Sequence, residues 1–162
     1  FISVSADRSA ILWTRDGVDN DRNSNSPAYK VKCQWNNLHN DPIYHCDWLR
    51  SSKMLANNWV AFCSGDNSFQ IWSDFDNAKW KNYITFSNAH EEDINWIEFG
   101  PQIVTTDSKQ VVIFATASDD GLIKLWKMVV DATPTSPSDH PHTDSSVSVS
   151  AGFDEQDIMD ID

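Results

Sequence analysis

One spacing recurs three times in this chain: a Ser, an Asp two residues later, and a Trp six residues beyond the Asp. The copies are Ser5-Asp7-Trp13, Ser64-Asp66-Trp72 and Ser118-Asp120-Trp126, and each Trp follows an apolar residue, Leu12, Ile71 or Leu125. The later two copies also share an opening, with His39 four residues before Ile43 and His90 four residues before Ile94. Between each Ser and Trp lies a run of turn formers: Ala6-Asp7-Arg8-Ser9, Gly65-Asp66-Asn67-Ser68 and Asp119-Asp120-Gly121. A strand alternates its faces, so Phe62 and Ser64 point to one side and Ala61 and Cys63 to the other. Each copy therefore predicts a hairpin whose second strand ends near the Trp, and the repetition predicts an array of like units.

A Trp-terminated repeat with an early His, and a Ser/Asp pair just before the Trp, is the signature of a WD-repeat β-propeller blade. The Trp residues are 59 and then 54 positions apart, against roughly 40–45 for a compact blade, so the blades carry extended loops. The expected fold class is all-β, a partial propeller of about three blades. In such blades the turn Asp, the strand Ser, the opening His and the Trp indole N–H form a hydrogen-bonded chain. Two such tetrads are expected: His39, Ser64, Asp66 and Trp72, then His90, Ser118, Asp120 and Trp126. Ser5, Asp7 and Trp13 are the matching residues of a partial blade. Each polar group left unsatisfied on burial would cost roughly 1–3 kcal/mol.

The repeats divide the chain into the second half of a blade over 1–36, a blade over 37–87, a last blade over 88–130 and a tail over 131–162. The alternation of Phe1, Ile2 and Val4 without an opening His places the start inside a blade, as in the C-terminal part of a longer protein. Gly100 to Gln110 reads as a long turn. The tail is rich in Ser, Asp and Pro, with too few apolar residues to offset ordering entropy, and is expected to be disordered. The last blade is then expected to lack a fourth strand of its own.

The net charge of −12 is concentrated at one end. Residues 131–162 hold eight acids and no Lys or Arg, leaving 16 acids against 12 bases elsewhere. Nothing resembles a basic nucleic-acid stripe, and no segment approaches the roughly 18 apolar residues of a membrane span. Cys33, Cys46 and Cys63 lie singly on predicted strands, an odd count that fits a reducing compartment better than a disulfide framework.

Several longer phrases carry a narrower resemblance. They are Asp41-Pro42-Ile43-Tyr44-His45-Cys46-Asp47-Trp48, Ser64 through Trp72, Ala89-His90-Glu91-Glu92-Asp93-Ile94-Asn95-Trp96, and Phe114 through Lys127. Together with Ser5 through Ser9 they resemble, in order, the last blades of the WD-repeat scaffold of cytosolic iron–sulfur protein assembly, over about residues 1–128. That resemblance implies a ring of seven blades and a non-catalytic docking subunit with no cofactor or metal of its own. It implies partners among the other subunits of the targeting complex and the apo iron–sulfur proteins that receive clusters, in the cytoplasm and also the nucleus. Nucleic acid and membrane are not among the implied partners. Leu38 and Ala89 stand where many WD repeats have Gly, and Thr14, Ser73 and Lys127 replace the Asp after Trp; the tail lies outside the resemblance.

Three other readings compete. Another WD-repeat adaptor, such as a ubiquitin-ligase substrate receptor or a trafficking platform, would share the repeat. A hydrolase triad could be drawn from Ser64, His39 and Asp66, but the same set recurs in the next blade, and a Gly-x-Ser-x-Gly elbow is missing. A metal or cluster site could use the cysteines with His45 or His39, but no close Cys pair exists, and adjacent His45 and Cys46 point to opposite strand faces. Phe153, Ile158, Met159 and Ile161 among the tail acids form an acidic–hydrophobic pattern that can act as a docking peptide or simply solvate the end.

Overall fold

The computed structural model describes residues 1–15, 29–49, 57–76, 79–106, 109–131 and 147–151. Among them every regular element is a strand, and the strands form three antiparallel sheets. The first holds β1 (Ile2–Val4), β2 (Ala10–Arg15) and β3 (Tyr29–Trp35). The second holds β4 (Ile43–Leu49), β5 (Trp59–Ser64), β6 (Phe69–Asp76) and β7 (Lys79–Phe86). The third holds β8 (Ile94–Thr106), β9 (Lys109–Ser118), β10 (Ile123–Asp131) and β11 (Val147–Ala151).

Each sheet buries a face against its neighbour, and the middle sheet does so on both sides. All six residues of β5 are buried. Trp59, Ala61 and Cys63, with Phe69 and Ile71, pack toward Ile97, Phe99, Phe114, Trp126 and Met128 of the third sheet. Val60 and Phe62 pack the other way, with Ala10, Leu12 and Trp35 of the first sheet. Period-two alternation thus lets one strand serve two cores. Burying each large side chain contributes about 1.5–3 kcal/mol.

The hairpin turns repeat down to backbone conformation. Arg8, Asn67 and Gly121, each following the signature Asp, have φ of 69°, 61° and 80°. That left-handed conformation is natural for Gly and tolerated by Asn, and is disfavoured for Arg8. The carbonyls of Arg8 and Asn67 accept hydrogen bonds from the N–H groups of Leu38 (3.1 Å) and Ala89 (2.9 Å), the residues preceding the two signature histidines. Each turn thereby fixes the opening of the next sheet.

Two expectations are corrected. The stretch read as a long turn from Gly100 to Gln110 is largely strand, because the β-branched Ile103, Val104, Thr105 and Thr106 continue the ladder onto Val112 through Lys109. The register shifts between Phe99 and Ile103, where a Cβ on Gly100 would lie 3.0 Å from the Ile113 carbonyl oxygen, a close approach suited to glycine. The last sheet does have a fourth strand from its own sequence: β11 pairs with β10, from Trp126↔Ala151 to Val130↔Val147. Val147-Ser148-Val149-Ser150 alternates as a strand should, and β10 offers it an unpaired edge. The rest of the expected tail, 132–146 and 152–162, lies outside the described residues.

Candidate functional site

In all three sheets the Ser/Asp pair builds the turn. The Ser hydroxyl accepts the Asp N–H, at 3.3 Å in Ser5–Asp7, 3.2 Å in Ser64–Asp66 and 3.1 Å in Ser118–Asp120. The Asp Oδ1 then accepts the N–H two residues on, from Ser9 at 2.9 Å, Ser68 at 3.2 Å and Leu122 at 2.9 Å. This local loop holds the carboxylate in place. The pair recurs because the turn recurs.

The third sheet extends this turn into a complete chain. Asp120 Oδ2 lies 2.8 Å from His90 Nδ1. His90 Nε2 lies 2.7 Å from Thr116 Oγ1, which also accepts the Trp126 indole N–H at 2.8 Å. A carboxylate only accepts, so Nδ1 donates; Nε2 of the neutral ring then accepts the Thr116 O–H. The His90 side chain is fully buried, yet both ring nitrogens are satisfied. The carboxyl of Asp120 is held down to about 2: desolvation works to raise it, and hydrogen bonds from Leu122 N–H, His90 and Glu91 N–H outweigh that.

Ser118 is not the bridge. Its hydroxyl donates to the Glu92 carbonyl at 3.1 Å and accepts Asp120 N–H. The structure puts Thr116, ten residues before the Trp, where the expected tetrad had Ser118. Ser3 holds the same offset in the first sheet and accepts the Trp13 indole N–H at 2.9 Å. A hydroxyl residue at that offset was the signal available in the sequence.

In the second sheet the offset falls on Phe62, and the chain divides. His39 Nδ1 lies 3.2 Å from both oxygens of Asp66 and 3.0 Å from Ser68 Oγ, while Ser68 also donates to Asp66 Oδ1. His39 Nε2, buried, has no hydrogen-bond partner among the described residues. Trp72 turns its indole N–H to Gln70 Oε1 at 2.9 Å, and Gln70 Nε2 donates to the Leu38 carbonyl. Burial lowers the His39 pKa below 6.5 against the attraction of Asp66. Asp66 is itself lowered, because hydrogen bonds from Ser68, Asn40 N–H and His39 outweigh its desolvation.

The triad geometry is not formed. Ser64 donates to the Asp41 carbonyl at 3.1 Å and accepts Asp66 N–H, while His39 faces Asp66 and Ser68. Burial raises the thiol of Cys33, and raises Cys46 to about 11 and Cys63 to about 12, away from the thiolate form that binds metals. His45 stacks on Trp96 at 3.7 Å and bonds the Ile97 carbonyl. Among the described residues no three His, Cys, Asp or Glu side chains are grouped to hold a metal ion.

Antiparallel sheets packed face to face, each with the Ser/Asp turn and terminal Trp, define consecutive blades of a WD-type β-propeller. Within that class the chain is CIA1-like in sequence. It is 27% identical over 134 residues to the "Probable cytosolic iron-sulfur protein assembly protein Ciao1" of Aedes aegypti, covering 77% of this chain and 36% of the relative. It is 31% identical over 104 residues to the CIAO1 homolog of Nematostella vectensis, covering 61% and 28%, and 26% identical over 101 residues to "Protein CIA1" of Arabidopsis thaliana, covering 59% and 25%. The chain thus spans only a quarter to somewhat over a third of these relatives' length. No family model matches it.

Proposed function

We propose that this chain is part of a non-catalytic propeller scaffold for cytosolic iron–sulfur protein assembly, docking the other subunits of a targeting complex and the apo proteins that receive clusters. The carrying observation is the likeness to the assembly proteins over 134 residues, which runs through successive blades. The signature His, Asp and Trp side chains are spent on buried hydrogen bonds between strands, and the raised Cys46 and Cys63 thiols disfavour cluster ligation. The reading includes further blades: Ile123 and Leu125 are 75% and 41% exposed, whereas their repeat counterparts Phe69 and Ile71 are 0% exposed beneath the next sheet. It places the protein in the cytoplasm, and in the nucleus where nuclear enzymes need clusters.

The test is to purify the intact protein from cells. It should bring down the other targeting-complex subunits and carry no stoichiometric iron. Depletion should lower cluster occupancy in cytosolic and nuclear iron–sulfur enzymes while sparing mitochondrial ones. Recovery of ubiquitin-ligase or coat subunits, with cluster enzymes unaffected, would contradict this and favour another adaptor. Bound iron in the purified protein would contradict the reading of the cysteines as non-ligands.

A further inference from the structure

A groove of about 480 Å³ opens between the first two blades, walled by β3, β6 and β7, and the signature chains leave it unexplained. Its size is that of a ligand site. Trp35 packs edge-on against Trp72 and Trp80, at 6.0 and 5.6 Å, and these rings give the groove an aromatic lining. Lys32 and Lys79 line it as well. Neither ammonium has a carboxylate partner among the described residues.

Strand irregularities build the lining. Leu12 pairs with Cys33 and Trp13 with Val31, leaving Lys32 as an extra residue in β3. That bulge brings consecutive Lys32, Cys33 and Gln34 to one groove, where a regular strand would alternate them. A second irregularity, an extra residue in β6 between the pairs Ser73↔Lys81 and Asp76↔Lys79, falls opposite Trp80.

We propose that this groove docks residues 152–162 of the same chain. The segment joins Phe153, Ile158, Met159 and Ile161 to five acids, Asp154, Glu155, Asp157, Asp160 and Asp162. Its apolar side chains suit the tryptophans and its carboxylates suit the Lys32 and Lys79 ammonium groups. The chain also leaves β11 within reach. Ala151 ends a strand that approaches β7, and eleven extended residues cover up to about 36–40 Å. The eight residues of β7, from Phe86 back to Lys79, span roughly 26 Å. The inference stands apart from the assembly role, since it uses neither the relatives nor the signature residues other than Trp72.

The experiment is fluorescence anisotropy with a labelled peptide of residues 152–162 and the intact protein ended at Ala151. The peptide should bind, and Lys32→Glu with Lys79→Glu should weaken it by about tenfold or more. Lys32→Gln with Lys79→Gln, which removes charge without reversing it, should weaken it less and serves if the first pair misfolds. Protein retaining its own residues 152–162 should bind the peptide more weakly, because the tethered copy competes. No binding to the shortened protein, equal binding by all lysine variants, or no competition from the tethered copy would overturn the assignment. Equally tight binding of a poly-Glu peptide would overturn it too, since the groove would then select charge alone.

Discussion

The second and third blades carry the same His, Ser, Asp and Trp, with the last three at the same spacing, yet they satisfy those groups differently. In the third blade one hydroxyl, Thr116, joins His90 to Trp126 and closes an unbroken chain from the turn to the indole. In the second blade Phe62 stands at that position, packed against Trp35, and His39 Nε2 is left without a partner among the described residues. Gln70 takes over the Trp72 indole and also ties the strand to the Leu38 carbonyl. Its counterpart in the third blade, Lys124, ties the equivalent Ala89 carbonyl at 2.8 Å. A repeat signature therefore specifies a turn and a set of polar groups; the network depends on a residue outside it. The second blade has exchanged a buried hydrogen bond for aromatic packing.

The largest expected effect is Phe62→Ala in the intact protein. A fully buried ring would be lost beneath Trp35, and denaturant unfolding should show a loss of about 3–5 kcal/mol. A loss below about 1 kcal/mol would mean that packing does not replace the missing bridge. Next is Thr116→Val, close in shape but without the hydroxyl. It strands His90 Nε2 and the Trp126 indole, and should cost about 1–3 kcal/mol, with Thr116→Ser recovering most of it. An equal loss in Thr116→Ser would assign the effect to shape.

Acid should act in two windows. His39 has a folded pKa lowered below 6.5, so the unfolded chain binds more protons there. The stability it contributes is present above pH 6.5 and declines as pH falls below it. Asp120 is lowered from 3.8 to about 2, so its contribution is present above 3.8 and is lost as pH falls toward 2. Melting temperatures followed across both windows should show a smaller lower step in Asp120→Asn, since Asp66 is lowered as well, and an unchanged upper one. An unchanged lower step would remove Asp120 as a contributor to it. The smallest effect belongs to the first blade's turn: Arg8→Gly should stabilise by about 0.5–1 kcal/mol by relieving its left-handed backbone. Destabilisation would show that the Arg8 side chain matters more than its φ.

The repeat spacing makes the sheets legible in the sequence, because alternation, turn residues and terminal Trp are local properties. It also located His39, Asp66, His90 and Asp120. Thr116 escaped notice because Ser118 offers the same chemistry two residues away on the same strand face, and only three-dimensional distance separates turn from bridge. β11 escaped because its Val-Ser alternation sits inside a polar, acidic stretch whose composition argues against order. Neither the Lys32 bulge nor the groove it lines has a sequence pattern of its own.

Paired double-mutant cycles measure the difference between the blades most directly: His90→Leu with Trp126→Phe, and His39→Leu with Trp72→Phe. His90 and Trp126 share Thr116, so their coupling should be about 1–2 kcal/mol. His39 and Trp72 share no hydroxyl, and their coupling should fall within about 0.5 kcal/mol of zero. Equal couplings in the two blades would contradict the division of the second blade's chain at Phe62.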